Sequence, residues 1–168
     1  SGIGSNGLTS ARHDVLAKYY AQQFPESFET SLSDDVVYIG KQRLTDHVRD
    51  HSVGALLLSP TRTYAPLLKV LLTEHFEKIH GLVHCSGGGQ TKCMKYLPDN
   101  FHIIKDNLFE PPPIFELIRD SSGADDREMY QVFNMGHRLE LFTGEANVHD
   151  LINVASTFNI EPRIVGRV

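Results

Sequence analysis

The sequence is short of several things, and each shortage closes off a class of protein. Only two cysteines occur, Cys85 and Cys93, with no C-x-x-C pair. That excludes a disulfide framework and a four-cysteine zinc module, and leaves reduced thiols in a cytoplasmic protein as the expectation. No apolar run is long enough to cross a bilayer as a helix, and no signal peptide precedes the first helix, so no membrane partner is expected. Basic residues do not dominate: 16 Lys and Arg stand against 21 Asp and Glu, a formal charge of −5. A general nucleic-acid binder would carry a basic face, so none is expected as a partner. The phosphate-binding fingerprints G-x-x-x-x-G-K-[ST] and G-x-G-x-x-G are both missing, which removes a P-loop and a dinucleotide fold. No internal repeat or low-complexity segment is present.

What remains is one ordinary globular domain. At 168 residues it buries about 70% of its unfolded surface. It opens on loop-like residues, Ser1-Gly2-Ile3-Gly4-Ser5-Asn6-Gly7, without an initiator Met, and is expected to be a piece of a longer protein.

The chain is organised around Ile79-His80-Gly81-Leu82-Val83-His84-Cys85-Ser86-Gly87-Gly88-Gly89-Gln90-Thr91-Lys92. An apolar strand runs into a hydroxyl and three glycines, then into a segment able to start a helix. Consecutive glycines cost conformational entropy and are placed where backbone turns tightly or is closely approached. The first amides of a helix are unpaired and its dipole is positive there, which outlines an anion site at Ser86 to Gly89. A tight turn without a ligand satisfies the same residues. A second corner, Gly4-Ser5-Asn6-Gly7, feeds a helix predicted over 8–24, with Arg12 about one turn inside and Pro25 ending it. Two such corners in one small domain suit a shared anion pocket; Ser5 or Asn6 as a plain helix cap is the simpler account of one of them.

Residues 26 to about 56 read as a surface excursion, with Val36-Val37-Tyr38-Ile39 its one strand-like run. His47 and His51 are four apart, but a solvated loop explains them better than a metal site. Further on, helices are predicted at 65–78, through Tyr96, at 114–120, 125–132 and 145–158. Strands are predicted at 79–84, 101–105, 138–143 and 163–168. This alternation predicts an α+β (layered α/β) domain, a mixed sheet of four or more strands covered by helices. His80 and His84 on a strand stand about 13 Å apart, too far to share one metal ion. His84, two residues before Ser86, is the candidate to point into the pocket beside the turn; a buried core histidine is an equal account.

Four blocks, in order, resemble the C-terminal domain of the phosphoribosylformylglycinamidine cyclo-ligase (AIR synthase) family. Ser1 to Gly7 with Arg12 is similar to its S-G-x-H-S-N-G…R, and Pro60-Thr61-Arg62-Thr63-Tyr64 to its P-T-R-x-Y. His80 to Gly89 resembles its H-G-x-x-H-x-T-G-G-G, and Met129 to Gly136 its M-x-x-x-F-N-M-G. Gly4 departs from the family's histidine, and His137-Arg138 depart from its small residues. The resemblance implies an ATP-dependent ring closure on formylglycinamidine ribonucleotide in purine biosynthesis, by a homodimer. ATP and Mg²⁺ would sit mainly on an N-terminal domain, so none is expected on this chain alone, which would be inactive. Here Gly4, Ser5, Asn6, Gly7, Arg12, Ser86, Gly87, Gly88, Gly89 and Asn134 would contact the phosphorylated substrate, with His84 the candidate catalytic residue and no metal ligands. Alternatives are a non-catalytic binding domain on the same scaffold, formylglycinamidine ribonucleotide synthase or selenophosphate synthetase.

Overall fold

The computed structural model describes Ile3 and residues 7–168. Helix α1 (Leu8–Val15) starts at Gly7, whose φ of 86° is left-handed. It buries Ala11 and Val15, one turn apart on one face. The predicted helix over 8–24 is cut in two: Leu16 is extended, and α2 (Tyr19–Gln23) starts afresh. The cause lies far away in sequence. The amides of Ile39 and Gln42 take the carbonyls of His13 (2.8 Å) and Val15 (3.0 Å), which a continuing helix would have used.

The strand expected at 36–39 does not form. Those residues make turns, with Tyr38 at φ 47°. Nor is the excursion all surface, because Val37 and Tyr38 are buried in the main core. The Tyr38 amide donates to His13 Nδ1 (3.2 Å). A tight hairpin follows, β1 (His47–Val48) against β2 (His51–Ser52), antiparallel. Ser52 then caps α3 (Val53–Leu57), its hydroxyl accepting from the Ala55 amide at 3.2 Å.

Helix α4 (Ala65–Glu74) carries Pro66 in its first turn. Strand β3 (Gly81–His84) pairs antiparallel with β4 (Leu139–Phe142), Val83 opposite Glu140 and His84 opposite Leu139. Between them, α5 (Pro113–Ser122) starts after Pro112 and stops at Gly123, φ 74°. Helix α6 (Asp126–Val132) is capped by Asp125, which accepts from the Glu128 amide at 2.8 Å. Helix α7 (Val148–Ser156) closes the regular structure.

The main core joins α1, α3, α5 and α6 around Val15, Val53, Phe115, Ile118 and Met129. A smaller one joins α4 and α7 through Leu67, Leu71, Leu151 and Ala155, with Leu141 of β4 against it. The fold is mixed helix and strand, as expected, but among the described residues strands pair only as these two ribbons. The strands expected at 101–105 and 163–168 meet in one bridge, Ile104 with Arg167. Side chains take the carbonyls a longer ladder would need: Asn107 donates to Ile164 (2.7 Å) and Arg163 to Leu108 (3.2 Å). Among the described residues no helix is long and apolar enough to cross a membrane.

Candidate functional site

Beyond β3 the chain makes its glycine turn. Gly87, Gly88 and Gly89 have φ of 59°, 93° and 48°, a left-handed run that side chains with a Cβ resist. The helix expected after it is a 3-10 helix, Gly89–Tyr96. Thr91 fastens its start, amide and hydroxyl both donating to the Gly88 carbonyl at 3.1 and 2.9 Å. The Lys92 ammonium reaches back to the Ser86 carbonyl at 2.7 Å. The mouth of the turn therefore carries a fixed positive charge.

Of the second corner, Gly4, Ser5 and Asn6 lie outside the described residues. Gly7 sits against the Phe133 ring so closely that a Cβ there would overlap it. Gly89 sits against the same residue from its backbone side, where a Cβ would come 2.5 Å from the carbonyl oxygens of Tyr130 and Phe133. Gln90 continues this contact by donating to the Asn134 carbonyl at 2.7 Å. Asn134, 1% exposed, accepts from the Gly136 amide through Oδ1 at 2.8 Å and so braces its own loop. The end of α6 thus brings Gly7, Gly89 and Asn134 together. Arg12 stands apart from this group, donating a long 3.4 Å bond to the Ser27 carbonyl. Its Nε is buried without a hydrogen-bond partner among the described residues.

His84 is exposed at the end of β3, its Nδ1 3.0 Å from the Ser86 hydroxyl. It faces a groove of about 430 Å³, walled by Thr61 to Ala65, Leu68 and Leu139. Two of the four sequence blocks therefore meet in space. Arg62 of that wall turns its guanidinium away to cap the end of α7, donating to the carbonyls of Phe158 (2.7 Å) and Asn159 (2.8 Å).

Two lysines escaped the sequence reading. Lys92 had a signal, since it stands one helical turn beyond Gly88. Lys105 had none: its ammonium donates to the Gln90 carbonyl (2.7 Å) and pairs with buried Glu140. Burial first, then the Glu140 charge, pushes the Cys85 thiol up to about 12, and burial also raises Cys93. Thiols held this way are not nucleophiles. His137, one of the departures, is buried, and its Nε2 accepts from the Phe109 amide at 2.8 Å. A second cleft, about 330 Å³, opens between α1, α5 and α6, lined by Ser10, Asp14, Ser122, Glu128, Val132 and Phe133. Burial raises the Asp14 carboxyl there, although Ser10 donates to it at 3.0 Å. Among the described residues, no three His, Cys, Asp or Glu side chains gather as a metal site.

In class, this is a mixed helix-and-strand domain in which Gly7, and Gly89 of the glycine turn, close on one helix end. Its family is recognised over the full length: residues 1–168 match AIR synthase related protein, C-terminal domain, and the chain belongs to that family. Among its relatives are proteins named phosphoribosylformylglycinamidine cyclo-ligase. Those from Methanopyrus kandleri and Methanocaldococcus jannaschii are each 34% identical over the whole chain. That from Carboxydothermus hydrogenoformans is 30% identical, again over the whole chain. The chain spans 41 to 43% of the length of these three relatives.

Proposed function

We propose that the chain is the substrate-side domain of a phosphoribosylformylglycinamidine cyclo-ligase, closing the imidazole ring of aminoimidazole ribonucleotide in purine biosynthesis. The observation that carries this is the convergence of Gly7 and Gly89 on Phe133, beside a turn whose mouth holds the Lys92 ammonium. The matching relatives, named for this activity, support it. In this reading Ser86 to Gly89 offer main-chain donors, fixed in advance, to the substrate phosphate or to charge developing on the transferred phosphoryl group. Gly7, against the Phe133 ring, adjoins this wall, and Asn134 braces it, while Arg12 lies apart from the group.

ATP with Mg²⁺ supplies the phosphoryl group that makes the formyl oxygen a leaving group for the amidine-side nitrogen. Both are assigned to an N-terminal domain, as the family resemblance implies; among the described residues no three carboxylate, His or Cys side chains gather as a metal site. A cytoplasmic homodimer is the working form, and the β3–β4 ribbon with the Ile104–Arg167 bridge supplies strands toward the larger sheet.

Steady-state ring closure by the protein carrying both domains tests this. Gly88→Val is expected to lower kcat/KM by about a hundredfold, since it distorts donors aimed at charge. The 168-residue chain alone is expected to show no turnover. Full activity in Gly88→Val, or turnover by the isolated chain, refutes the assignment.

A further inference from the structure

The middle of the glycine turn has open space around it. A Cβ on Gly87 would meet nothing within 4 Å, and the atoms nearest one on Gly88 are those of Lys92. Thr91 and Lys92 bond within the turn, to the Gly88 and Ser86 carbonyls, and so move with it. Its orientation on the sheet is therefore set at its ends. At the start, the Cys85 amide donates to the Arg138 carbonyl at 2.9 Å. At the far end stands Gln90, which is buried. Its Nε2 donates to the Asn134 carbonyl at 2.7 Å, and its Oε1 accepts from the Lys105 ammonium at 3.3 Å. Lys105 also donates to the Gln90 main-chain carbonyl at 2.7 Å, so one cation grips the residue twice.

This anchor carries a cost. Taking an ammonium and a carboxylate out of water is unfavourable even when they pair, and apolar residues of like volume are often at least as stable. Glu140, the partner of Lys105, keeps Oε2 buried with no hydrogen-bond partner among the described residues, which adds to that cost. An apolar pair would fill the same space but could not bind the Gln90 carbonyl. What the ions add over packing is a fixed direction for the Gln90 peptide, and through it for the amides just before it.

We propose that Lys105, paired with Glu140, is a positioning residue: it acts through Gln90 to aim the main-chain donors of Gly87 to Gly89 at an anion, without touching that anion itself. This rests on the turn being the anion site, and the test separates the two.

Inorganic phosphate is titrated into the purified protein while the backbone amide resonances of Gly87, Gly88 and Gly89 are followed. Lys105→Met alone would leave Glu140 buried and unpaired, so both ions are replaced together, Lys105→Met with Glu140→Met, and urea unfolding confirms the fold. This double variant is expected to show the three glycine resonances displaced before phosphate is added, and to bind phosphate about tenfold more weakly than the wild type. Gln90→Met keeps the ion pair but loses the side-chain bonds to Asn134 and Lys105, and is expected to weaken phosphate binding in the same direction. Phosphate affinity unchanged in either variant reduces Lys105 to a structural ion and overturns the positioning role, while the turn stands as an anion site. Glycine resonances that phosphate does not move in the wild type refute the anion site, and the positioning role with it.

Discussion

Gly89 lies against the backbone of Phe133 so closely that a single added carbon would come 2.5 Å from the Phe133 carbonyl oxygen. Its φ of 48° adds a conformational reason to the steric one. Gly87, two residues earlier, shares the left-handed backbone (φ 59°) but faces open space. The pair separates strain from contact. Gly87→Ala is expected to cost about 1 to 2 kcal/mol, the backbone term alone. Gly89→Ala is expected to cost at least about 3 kcal/mol, because the end of α6 must also shift. Urea unfolding of the two variants checks the order; equal losses would mean that Phe133 gives way freely.

Among the ion pairs of the described residues, Lys105 with Glu140 is the most enclosed, with side chains 14% and 5% exposed. It ties the start of the 3-10 helix to β4, since Lys105 also holds the Gln90 carbonyl. Glu140 Oε2 is buried without a hydrogen-bond partner among the described residues, so this carboxylate depends on Lys105. Lys105→Met is expected to cost about 3 to 5 kcal/mol, because it leaves a buried charge unpaired. Lys105→Met with Glu140→Met is expected to recover much of that loss. A double-mutant cycle measures it, and a double variant no better than Lys105→Met contradicts the dependence.

Sequence signals succeeded where the cause was local. Pro112 and Gly123 bound α5, Asp125 starts α6, and three adjacent glycines could only be a turn. They failed where distant backbone intervened. Nothing in residues 8–24 says that amides from Ile39 and Gln42 will take two of the helix's carbonyls. Val36 to Ile39 has strand composition, yet Tyr38 is needed in the core beside His13 and Phe28, and it takes a left-handed backbone to get there. The site divides the same way. The turn was legible as far as its glycines, and the meeting of His84 with the 61–65 segment only as two separate blocks. Lys105 reaches the turn from 15 residues beyond Gln90, and no spacing rule marks such a contact.

His137 connects the buried chemistry to pH. Its Nε2 accepts from the Phe109 amide at 2.8 Å, so the fold requires that nitrogen unprotonated. Burial, helped by the charges of Lys105 and Arg163, lowers its pKa from 6.5 to about 4. His13 is shifted the same way, by burial and then Arg12, and it too accepts a backbone N–H. Between those two pH values the unfolded chain binds a proton that native His137 refuses, so the His137 contribution to stability falls as pH drops through 6.5 and is fully lost near about 4. The His137 share is roughly 2 kcal/mol after allowance for partial solvent screening. His137→Gln keeps an acceptor for Phe109 but cannot titrate. Urea unfolding at about pH 7 and about pH 4.5 should show a shallower loss in this variant than in the wild type. An identical loss in both proteins would place the acid sensitivity on other groups.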